Sequence, residues 1–269
     1  MVNVNLAINY VNQNGNDIDR ARLKGILLKA PAKDDIIQKL QQLQNPDGGF
    51  SYWTKECSTV FDTVYILAWL DDLQIMTGDL IDRAFQFLIS KQKDDGSWDE
   101  VSEVEKFGSE FALKPDELET QVFLTAFCSH WFVRFGRAEP PGAKGSPVEF
   151  LKSNRSDTGL ILDDQQATWD SLVLFAYYPG PESDLFKETV EIIEKRFAPD
   201  ELSGSSLAYL LCCLRDAKLN AFHPLVNLCT DELNQKQHED GSWESEYGDE
   251  YNTSATVDAL RVMEHYKVG

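Results

Sequence analysis

Aromatic side chains recur at four-residue spacing in two apolar stretches of this sequence, and two later stretches add single rings. The eight candidate rings for a binding surface are Phe61, Tyr65, Trp69, Phe123, Phe127, Trp131, Trp169 and Tyr209. Side chains four residues apart share one face of a helix. Aromatic faces stabilise a cation by ~0.5–2 kcal/mol each, so such a surface suits a carbocation pathway. The same spacing is also typical of an ordinary hydrophobic core.

Carboxylates lie beside several of the same stretches. The candidates near predicted helix starts are Asp62, Asp116, Glu119, Asp163 and Asp164. A carboxylate at a helix start caps exposed N–H groups, so a structural role is one interpretation. A carboxylic acid also holds and donates a proton, which is the chemical interpretation. Asp71 and Asp72 follow a helix end, where carboxylates are disfavoured, and solvated side chains are expected there.

The composition limits the classes of partner. The chain has 269 residues, of which 42% are hydrophobic, and 45 acidic against 25 basic residues give a formal charge of −20. The acidic surplus argues against nucleic acid and against an anionic membrane, because both need clustered Lys and Arg. No apolar run approaches the roughly 18 residues of a membrane span, and no leader sequence is visible. The five cysteines include no C-x-x-C pair, which predicts free thiols in a reducing cytoplasm.

Helical periodicity dominates the sequence and comes in two kinds. Segments such as 34–44 and 80–92 carry one apolar stripe, which is typical of helices with one solvated face. Segments such as VFDTVYILAWL (60–70) and VFLTAFCSHWFV (122–133) are apolar nearly all round, so they must be buried on every side. The two kinds alternate along the chain as repeated helix pairs.

Closure of these pairs into a ring accounts for both kinds of helix. An inner ring of apolar helices within an outer ring of amphipathic ones buries every apolar face, whereas an open solenoid leaves both of its faces wet. The sequence therefore predicts an all-α fold, an α/α barrel or toroid of about six helical hairpins. Residues 1–269 are expected to form this barrel as a single domain.

Three turns share the pattern Q-x3-G-[GS]-[FW]. They read QNPDGGF at 44–50, QKDDGSW at 92–98 and QHEDGSW at 237–243. Each turn follows an amphipathic helix, and its glycine is suited to a positive φ where that helix ends. A degenerate copy within 150–161 has Arg155 in the Gln place and Gly159 in the Gly place.

These turns between paired helices resemble the QW repeats of squalene-hopene and oxidosqualene cyclases and of their terpene-cyclase relatives. Protein prenyltransferase β subunits share the same barrel. The resemblance covers essentially the whole chain and implies that the Gln and aromatic residue of each turn tie outer helices to the barrel. Those residues are Gln44, Phe50, Gln92, Trp98, Gln237 and Trp243.

Two further segments bear on the chemistry that the resemblance implies. Residues 60–63, VFDT, resemble the V-W-D-T segment that opens an inner helix in these cyclases. The family protonates its substrate with the middle Asp of P-D-x-D-D-T-A, whereas residues 115–120 here read PDELET. Glu119 replaces the last Asp and Leu118 stands in the donor position, where leucine has no proton to give. In LDDQQAT at 162–168, Asp163 or Asp164 is an alternative acid.

The resemblance implies acid-initiated cyclisation or isomerisation of an isoprenoid or other apolar small molecule in an aromatic-lined barrel cavity, without a cofactor. A diphosphate substrate would additionally require Mg²⁺ or a local cation cluster, for which Arg134 and Arg137 are candidates. Class II cyclases form their site between two barrels. A homodimer, a second barrel subunit or the mouth of this barrel is therefore expected to complete the site.

Two other functions fit the same pattern. A non-catalytic barrel that binds an isoprenoid, another lipid or a partner protein is favoured by Leu118 and by the single barrel. A zinc-dependent prenyltransferase would need three protein ligands for the metal. The chain lacks the D-x-C of those enzymes, and its nearest pairs are Glu56-Cys57 and Cys128-x-His130.

Overall fold

A computed structural model describes residues 2–110, 113–137 and 145–267, which form twelve α-helices. The helices are α1 (Val4–Asn14), α2 (Asp17–Leu28), α3 (Asp34–Leu43), α4 (Val60–Asp72), α5 (Asp79–Lys91), α6 (Leu118–Arg134), α7 (Pro147–Ser153), α8 (Gln165–Tyr177), α9 (Asp184–Arg196), α10 (Gly204–Asp216), α11 (Pro224–Gln235) and α12 (Asn252–Tyr266). Short 3₁₀ helices occupy Ser102–Glu110, Pro199–Glu201 and Asp249–Tyr251. Within these described ranges, β structure is limited to isolated bridges at turns. None of the helices in this part of the chain combines the length and apolarity needed to cross a bilayer.

The chain divides into two compact units. Residues 1–36, 72–74 and 194–269 form unit 1, and residues 37–71 and 75–193 form unit 2. The prediction that residues 1–269 make one domain stays a prediction.

The two kinds of helix expected from the periodicity are present. In unit 2, α5 has one buried face, whereas α6 and α8 are buried on nearly every side. Helices α6 and α8 pack along each other, and this contact covers part of the apolar surface of each helix. Asp164 caps the start of α8 by accepting the Ala167 N–H at 2.8 Å. This capped, buried pair of helices is the core that positions the side chains of unit 2.

The three Q-x3-G turns share two contacts, from the Gln amide to the Gly carbonyl and from the aromatic residue's N–H to a Thr hydroxyl. In the second turn, Gln92 Nε2 donates to the Gly96 carbonyl at 3.1 Å, and Gly96 has a φ of 92°. Trp98 Nε1 donates to the Leu88 carbonyl of the preceding helix at 2.8 Å, and the Trp98 N–H donates to Thr125 Oγ1 of α6 at 2.9 Å. The turn thus fastens an amphipathic helix to a buried one.

The copy in unit 1 repeats this arrangement. Gln237 Nε2 donates to the Gly241 carbonyl at 3.0 Å, and Trp243 Nε1 donates to the Leu233 carbonyl at 2.7 Å. The Trp243 N–H donates to Thr256 Oγ1 at 3.1 Å. In the degenerate copy, Arg155 Nε takes the place of the Gln amide and donates to the Gly159 carbonyl at 3.3 Å. The repeat is therefore a repeat of contacts as well as of residues.

We expect Trp98→Phe to lower the free energy of unfolding by about 1–3 kcal/mol, because it removes a buried hydrogen bond and leaves a cavity. Trp98 is only 2% exposed. Phe222→Leu is the matched control, since Phe222 is 90% exposed. Urea titrations measure the free energy of unfolding of both variants. For the control, we expect a change within about 0.5 kcal/mol. Equal losses in the two variants would contradict a structural role for the turn.

The expectation that Asp71 and Asp72 are solvated is wrong. Asp71 is 4% exposed and Asp72 is 2% exposed. In unit 2, Arg134 NH2 donates to Asp71 Oδ1 at 2.9 Å. Carboxylates at a helix C-terminus are disfavoured only when they lack a cation, and the sequence pattern did not show that arginines from distant helices lie beside them.

Asp72 lies at the centre of a buried ion cluster in unit 1. It accepts from Arg22 Nε at 2.9 Å and from Arg261 NH2 at 2.6 Å. Asp258 accepts from the same two arginines at 2.7 and 2.8 Å. Burial acts to raise the pKa of Asp72, but Arg261 and Arg22 outweigh it and hold that pKa below its usual range. The cluster joins α2 and α12 to Asp72 within unit 1.

Candidate functional site

An aromatic cluster lies in unit 2, where α4 and α6 contribute five of the predicted rings. They are Phe61, Tyr65 and Trp69 of α4 with Phe123 and Phe127 of α6. The centroid of Phe61 is 6.0 Å from that of Phe127 and 6.2 Å from that of Phe123. The centroids of Tyr65 and Trp69 are 5.5 Å apart. The four-residue spacing in the sequence therefore does bring these rings together across two helices.

The remaining predicted rings lie elsewhere. Trp131 is buried on α6, where it stacks on His130 and lies 6.3 Å from Phe135. Trp169 is 7% exposed on α8. Tyr209 belongs to α10 of unit 1.

Two further rings of the cluster come from a loop and were not predicted. Residues 51–58, here called the 51–58 loop, run between the turn at Phe50 and the start of α4. The centroid of Tyr52 lies 4.9 Å from that of Trp69 and 6.2 Å from that of Tyr65. Trp53 lies 6.0 Å from Tyr65. A helical period cannot reveal loop rings, and the only sequence signal was the Tyr-Trp pair just before α4.

The Asp62 carboxyl binds the loop that carries two rings of this cluster. It is fully buried, and its Oδ2 accepts the N–H groups of Tyr52 at 2.8 Å and Trp53 at 3.2 Å. Its Oδ1 is buried without a hydrogen-bond partner among the described residues. Burial raises the pKa of Asp62 to about 6, although the loop N–H groups act to lower it. A neutral carboxyl with Oδ2 as acceptor and a proton on Oδ1 fits this environment.

Glu100 is a second buried carboxyl at the start of α4. Its Oε1 accepts the Val60 N–H at 2.8 Å and its Oε2 accepts the Phe61 N–H at 3.1 Å. Burial, with a smaller contribution from the Asp62 charge, raises the pKa of Glu100 to about 7 against the opposing backbone N–H groups. Two neighbouring carboxyls that resist ionisation keep protons at the site near neutral pH. Glu100 lies outside the helix starts that the sequence pattern highlighted, and its one signal is its place two residues after Trp98.

We expect protein stability to fall as pH rises through the range in which Glu100 ionises. Folding raises the pKa of Glu100 from 4.5 to about 7, so between these values the folded state keeps a proton that the unfolded state has lost. Unfolding then releases a proton, and stability decreases with pH. The free energy of unfolding of the wild type should fall between about pH 5 and pH 8, and Glu100→Gln should remove about 2–3 kcal/mol of that fall.

Urea titrations across this pH range measure the effect. Glu103→Gln is the matched control, because Glu103 is an exposed acid in the same segment. An unchanged pH dependence in Glu100→Gln, or an equal change in Glu103→Gln, would show that Glu100 is not the group responsible.

Asp116 and Glu119 lie at the protein surface. Both are exposed, and Asp116 lies 3.8 Å from Lys93 Nζ. Leu118 is the first residue of α6 and is 41% exposed. The PDELET segment therefore places its acids in solvent.

Asp163 and Asp164 both hold the turn that precedes α8. Asp163 is exposed, and its Oδ1 accepts from Ser156 Oγ at 2.7 Å and from Thr158 Oγ1 at 2.6 Å. Asp164 is the helix cap described above. Burial raises the pKa of Asp164, and the nearby Asp170 raises it further. Of the two interpretations offered by the sequence, these contacts match helix capping.

A His–Asp pair lies between α6 and α8. His130 Nδ1 and Asp170 Oδ1 are 2.7 Å apart, and both side chains are fully buried. The sequence pattern did not single out Asp170, because the two residues are 40 positions apart. Such a pair fixes the orientation of the imidazole ring inside unit 2.

The cysteines of unit 2 are poor zinc ligands in this environment. Burial raises the pKa of the Cys128 thiol well above its usual value, and burial also raises that of Cys57. Zinc binds the thiolate, so both sites oppose the ligand form. All five cysteines are free.

A surface groove of about 650 Å³ lies between α7 and α9. Its walls are formed by Ser146, Val148, Glu149, Lys152, Arg155, Tyr178, Pro179, Ser183, Asp184, Leu185 and Glu188. The groove and the aromatic cluster have no residue in common.

Comparison with known proteins identifies the fold. Residues 6–135 match the model of the A-macroglobulin TED domain family. A protein from Actinoplanes aligns with a TM-score of 0.65 at 15% identity, covering 98% of each chain. No curated protein sequence matches the chain significantly.

The type II terpene cyclase MstE from Scytonema shows the same likeness. Its apo structure aligns with a TM-score of 0.62 at 14% identity, over 98% of this chain and 97% of that one. A variant in complex with its substrate, geranylgeranyl dihydroxybenzoate, aligns with a TM-score of 0.61 at 14% identity, over 98% and 97% of the two chains. The expected fold class is confirmed: the chain has a terpene cyclase-like α/α-barrel fold.

Proposed function

We propose that this protein is a terpene cyclase-like enzyme that protonates an isoprenoid at the aromatic cluster, with Asp62 as the acid. One observation carries the proposal. Asp62 is a fully buried carboxyl with an unpartnered oxygen, and it binds the loop that supplies two rings of the cluster. The fold shared with type II terpene cyclases supports the same conclusion.

The proposed reaction begins with proton transfer from Oδ1 of Asp62 to one carbon of an alkene. The π electrons form the new C–H bond, which leaves a carboxylate on Asp62 and a carbocation on the substrate. A second alkene of the same chain attacks the cation and closes a ring. Loss of a proton from the product cation to the carboxylate restores Asp62, so the cycle consumes neither a proton nor a cofactor.

The energetics require the rings as well as the acid. A pKa of about 6 leaves roughly a tenth of Asp62 protonated at pH 7, and it does not make the group a strong acid. Rings in contact with a cation contribute ~0.5–2 kcal/mol each, so several of them contribute several kcal/mol in total. Asp62 also lies in the first turn of α4, where the helix dipole stabilises the carboxylate that forms.

The charges of unit 2 favour a substrate without a diphosphate. Arg134 and Arg137, the candidate cations for such a group, form ion pairs with Asp71 and Asp82. MstE is recorded with geranylgeranyl dihydroxybenzoate as its substrate, which is an isoprenoid of this kind. We therefore propose an uncharged or carboxylated isoprenoid and no requirement for Mg²⁺.

We also propose that one chain completes the site in a reducing compartment such as the cytoplasm. This chain covers 97% of the MstE chain, which supports a single barrel without a homodimer or second barrel subunit. The five free thiols support the compartment.

The alternative function is a non-catalytic barrel that binds a lipid or a partner protein. The match of residues 6–135 to the A-macroglobulin TED domain favours this alternative. The exposed Leu118 at the expected donor position favours it as well.

Incubation with isoprenoids distinguishes the two functions. Purified protein is mixed with farnesol, geranylgeraniol, squalene or geranylgeranyl dihydroxybenzoate, with and without Mg²⁺, and the extracts are analysed by mass spectrometry. The proposal predicts a cyclised isomer of at least one substrate without added metal. Recovery of a bound but unaltered isoprenoid would support the binding protein and overturn the enzyme.

A further inference from the structure

The aromatic cluster is closed by its own rings. Phe61 contacts Tyr65, Phe123 and Phe127 at centroid distances of 6.0–6.2 Å. Tyr52 lies edge-on to Trp69 at 4.9 Å. Rings at these distances fill the space between them, so an isoprenoid chain enters the cluster only when some rings move.

The 51–58 loop is the part of the cluster that is able to move. Five rings stand on buried helices, whereas Tyr52 and Trp53 stand on the loop, and Trp53 is 39% exposed. The loop ends are fixed, because the Thr59 N–H donates to the Phe50 carbonyl at 3.1 Å and the Phe50 N–H donates to Thr63 Oγ1 at 2.9 Å. Segments with few buried contacts between fixed ends open at the lowest free-energy cost.

The Asp62 side chain holds the centre of the loop from below. Oδ2 of Asp62 accepts the N–H groups of both Tyr52 and Trp53. A further hydrogen bond joins Thr54 Oγ1 to the Cys57 carbonyl within the loop. Asp62 is therefore placed to fix both loop rings against α4.

We propose that the 51–58 loop is a lid over the aromatic cluster and that the Asp62 carboxyl is its latch. The inference rests on the proposed function for the identity of the substrate, an isoprenoid, but the lid and its latch stand on the contacts of Asp62 alone. Opening of the lid removes Tyr52 and Trp53 and uncovers the faces of Tyr65 and Trp69. Closure returns the two rings over the bound chain.

The latch is coupled to the proton. Hydrogen bonds to a carboxylate are stronger than those to a neutral carboxyl, so the lid is held most tightly after Asp62 has given up its proton. At that moment a carbocation occupies the cluster and must be kept from water. The titratable groups that face Asp62 are Glu100, from the segment after Trp98, and the Cys57 thiol of the loop.

Hydrogen–deuterium exchange of the peptide that covers residues 51–58 tests the latch without any substrate. Asp62→Ala removes the acceptor of two N–H groups, and we expect exchange of the loop amides to accelerate about tenfold or more. Asp62→Asn keeps a carbonyl acceptor, and we expect it to retain most of the protection. Asp95→Ala is the matched control, because Asp95 accepts the Ser97 N–H in the next turn and lies outside the cluster.

Circular dichroism and exchange in the α6 peptides confirm that each variant is folded. Unchanged protection of the loop in a folded Asp62→Ala protein overturns the lid, as does equal loss of protection in Asp95→Ala. If Asp62→Ala does not fold, the test is the pH dependence of loop protection in the wild type and in Asp62→Asn. The wild-type loop should gain severalfold protection from about pH 5 to pH 8 after correction for intrinsic exchange, whereas the Asp62→Asn loop should not.

Failure of the lid and failure of the proposed function are distinguishable. Loop protection that depends on Asp62, with no product from any isoprenoid, supports the latch and overturns the enzyme. If product formation depends on Asp62 but loop protection does not, the role of Asp62 as the acid is supported and its role as the latch is overturned.

Discussion

Replacement of Asp62 by Asn lowers the rate of product formation by roughly 10²- to 10⁴-fold, the range expected when a general acid is removed. Asn keeps an acceptor for the Tyr52 and Trp53 N–H groups but has no carboxylic proton. Substrate binding is therefore retained while the chemical step is lost, and we expect kcat to fall with KM changed by less than about threefold. Steady-state kinetics on the isoprenoid that gives product measure both constants.

The other predicted acids are the controls for this experiment. Asp116→Asn, Glu119→Gln and Asp163→Asn change exposed carboxyls, so we expect wild-type rates within about threefold. Retained activity in Asp62→Asn together with its loss in Asp163→Asn would assign the acid to the turn before α8 and contradict our assignment.

Replacement of Asp72 by Ala lowers the free energy of unfolding by about 3–5 kcal/mol, the loss typical when one partner of a buried ion pair is removed. Arg22 is 1% exposed and Arg261 is 8% exposed. Without Asp72 the two guanidinium groups share Asp258, while Asp19 lies 3.8 Å from Arg22, and the two cations repel each other. Denaturant unfolding at neutral pH measures the loss.

Asp17→Ala is the matched control in the same unit. Asp17 pairs with Arg20 at 2.9 Å, but its side chain is 56% exposed, so its removal should cost less than about 1 kcal/mol. A loss in Asp72→Ala no larger than in Asp17→Ala would show that the buried cluster does not stabilise unit 1.

The helices and their turns were predictable from the sequence because both depend on local chemistry. An apolar period of 3.6 residues identified α4 and α6, and the Q-x3-G pattern located the turns that end at Trp98 and Trp243. The boundaries were less well predicted: α6 begins at Leu118, four residues before the apolar run from Val122. Its first turn is polar on the exposed side, so hydrophobicity alone does not reveal it.

The site was predictable only in part, because its carboxyls are placed by contacts between distant segments. Asp62 and the rings of α4 and α6 follow from position and spacing. Glu100 and Asp170 do not, since each acts across about 40 residues of chain, on Val60 and His130 respectively. Burial, rather than residue type, separates these acids from the exposed pair at Asp116 and Glu119.

The motif at 115–120 shows how a local match to a family pattern differs from a site. PDELET lies at the start of an inner helix, as in the cyclases that it resembles, yet Leu118 faces solvent. The buried acid beside the rings opens α4 instead. The position of Asp62 along the repeat, rather than the motif, identifies the acid that we propose as the proton donor.

The most direct test of the central claim is the isotopic composition of the product formed in heavy water. Carboxyl protons exchange with solvent, so the acid that starts the reaction is then a deuteron. Our account predicts a cyclised product in which one deuterium is bound to the carbon that was protonated, and no such product from Asp62→Asn. A cyclised product that carries no deuterium, or equal deuteration by Asp62→Asn, would contradict protonation of an isoprenoid by Asp62.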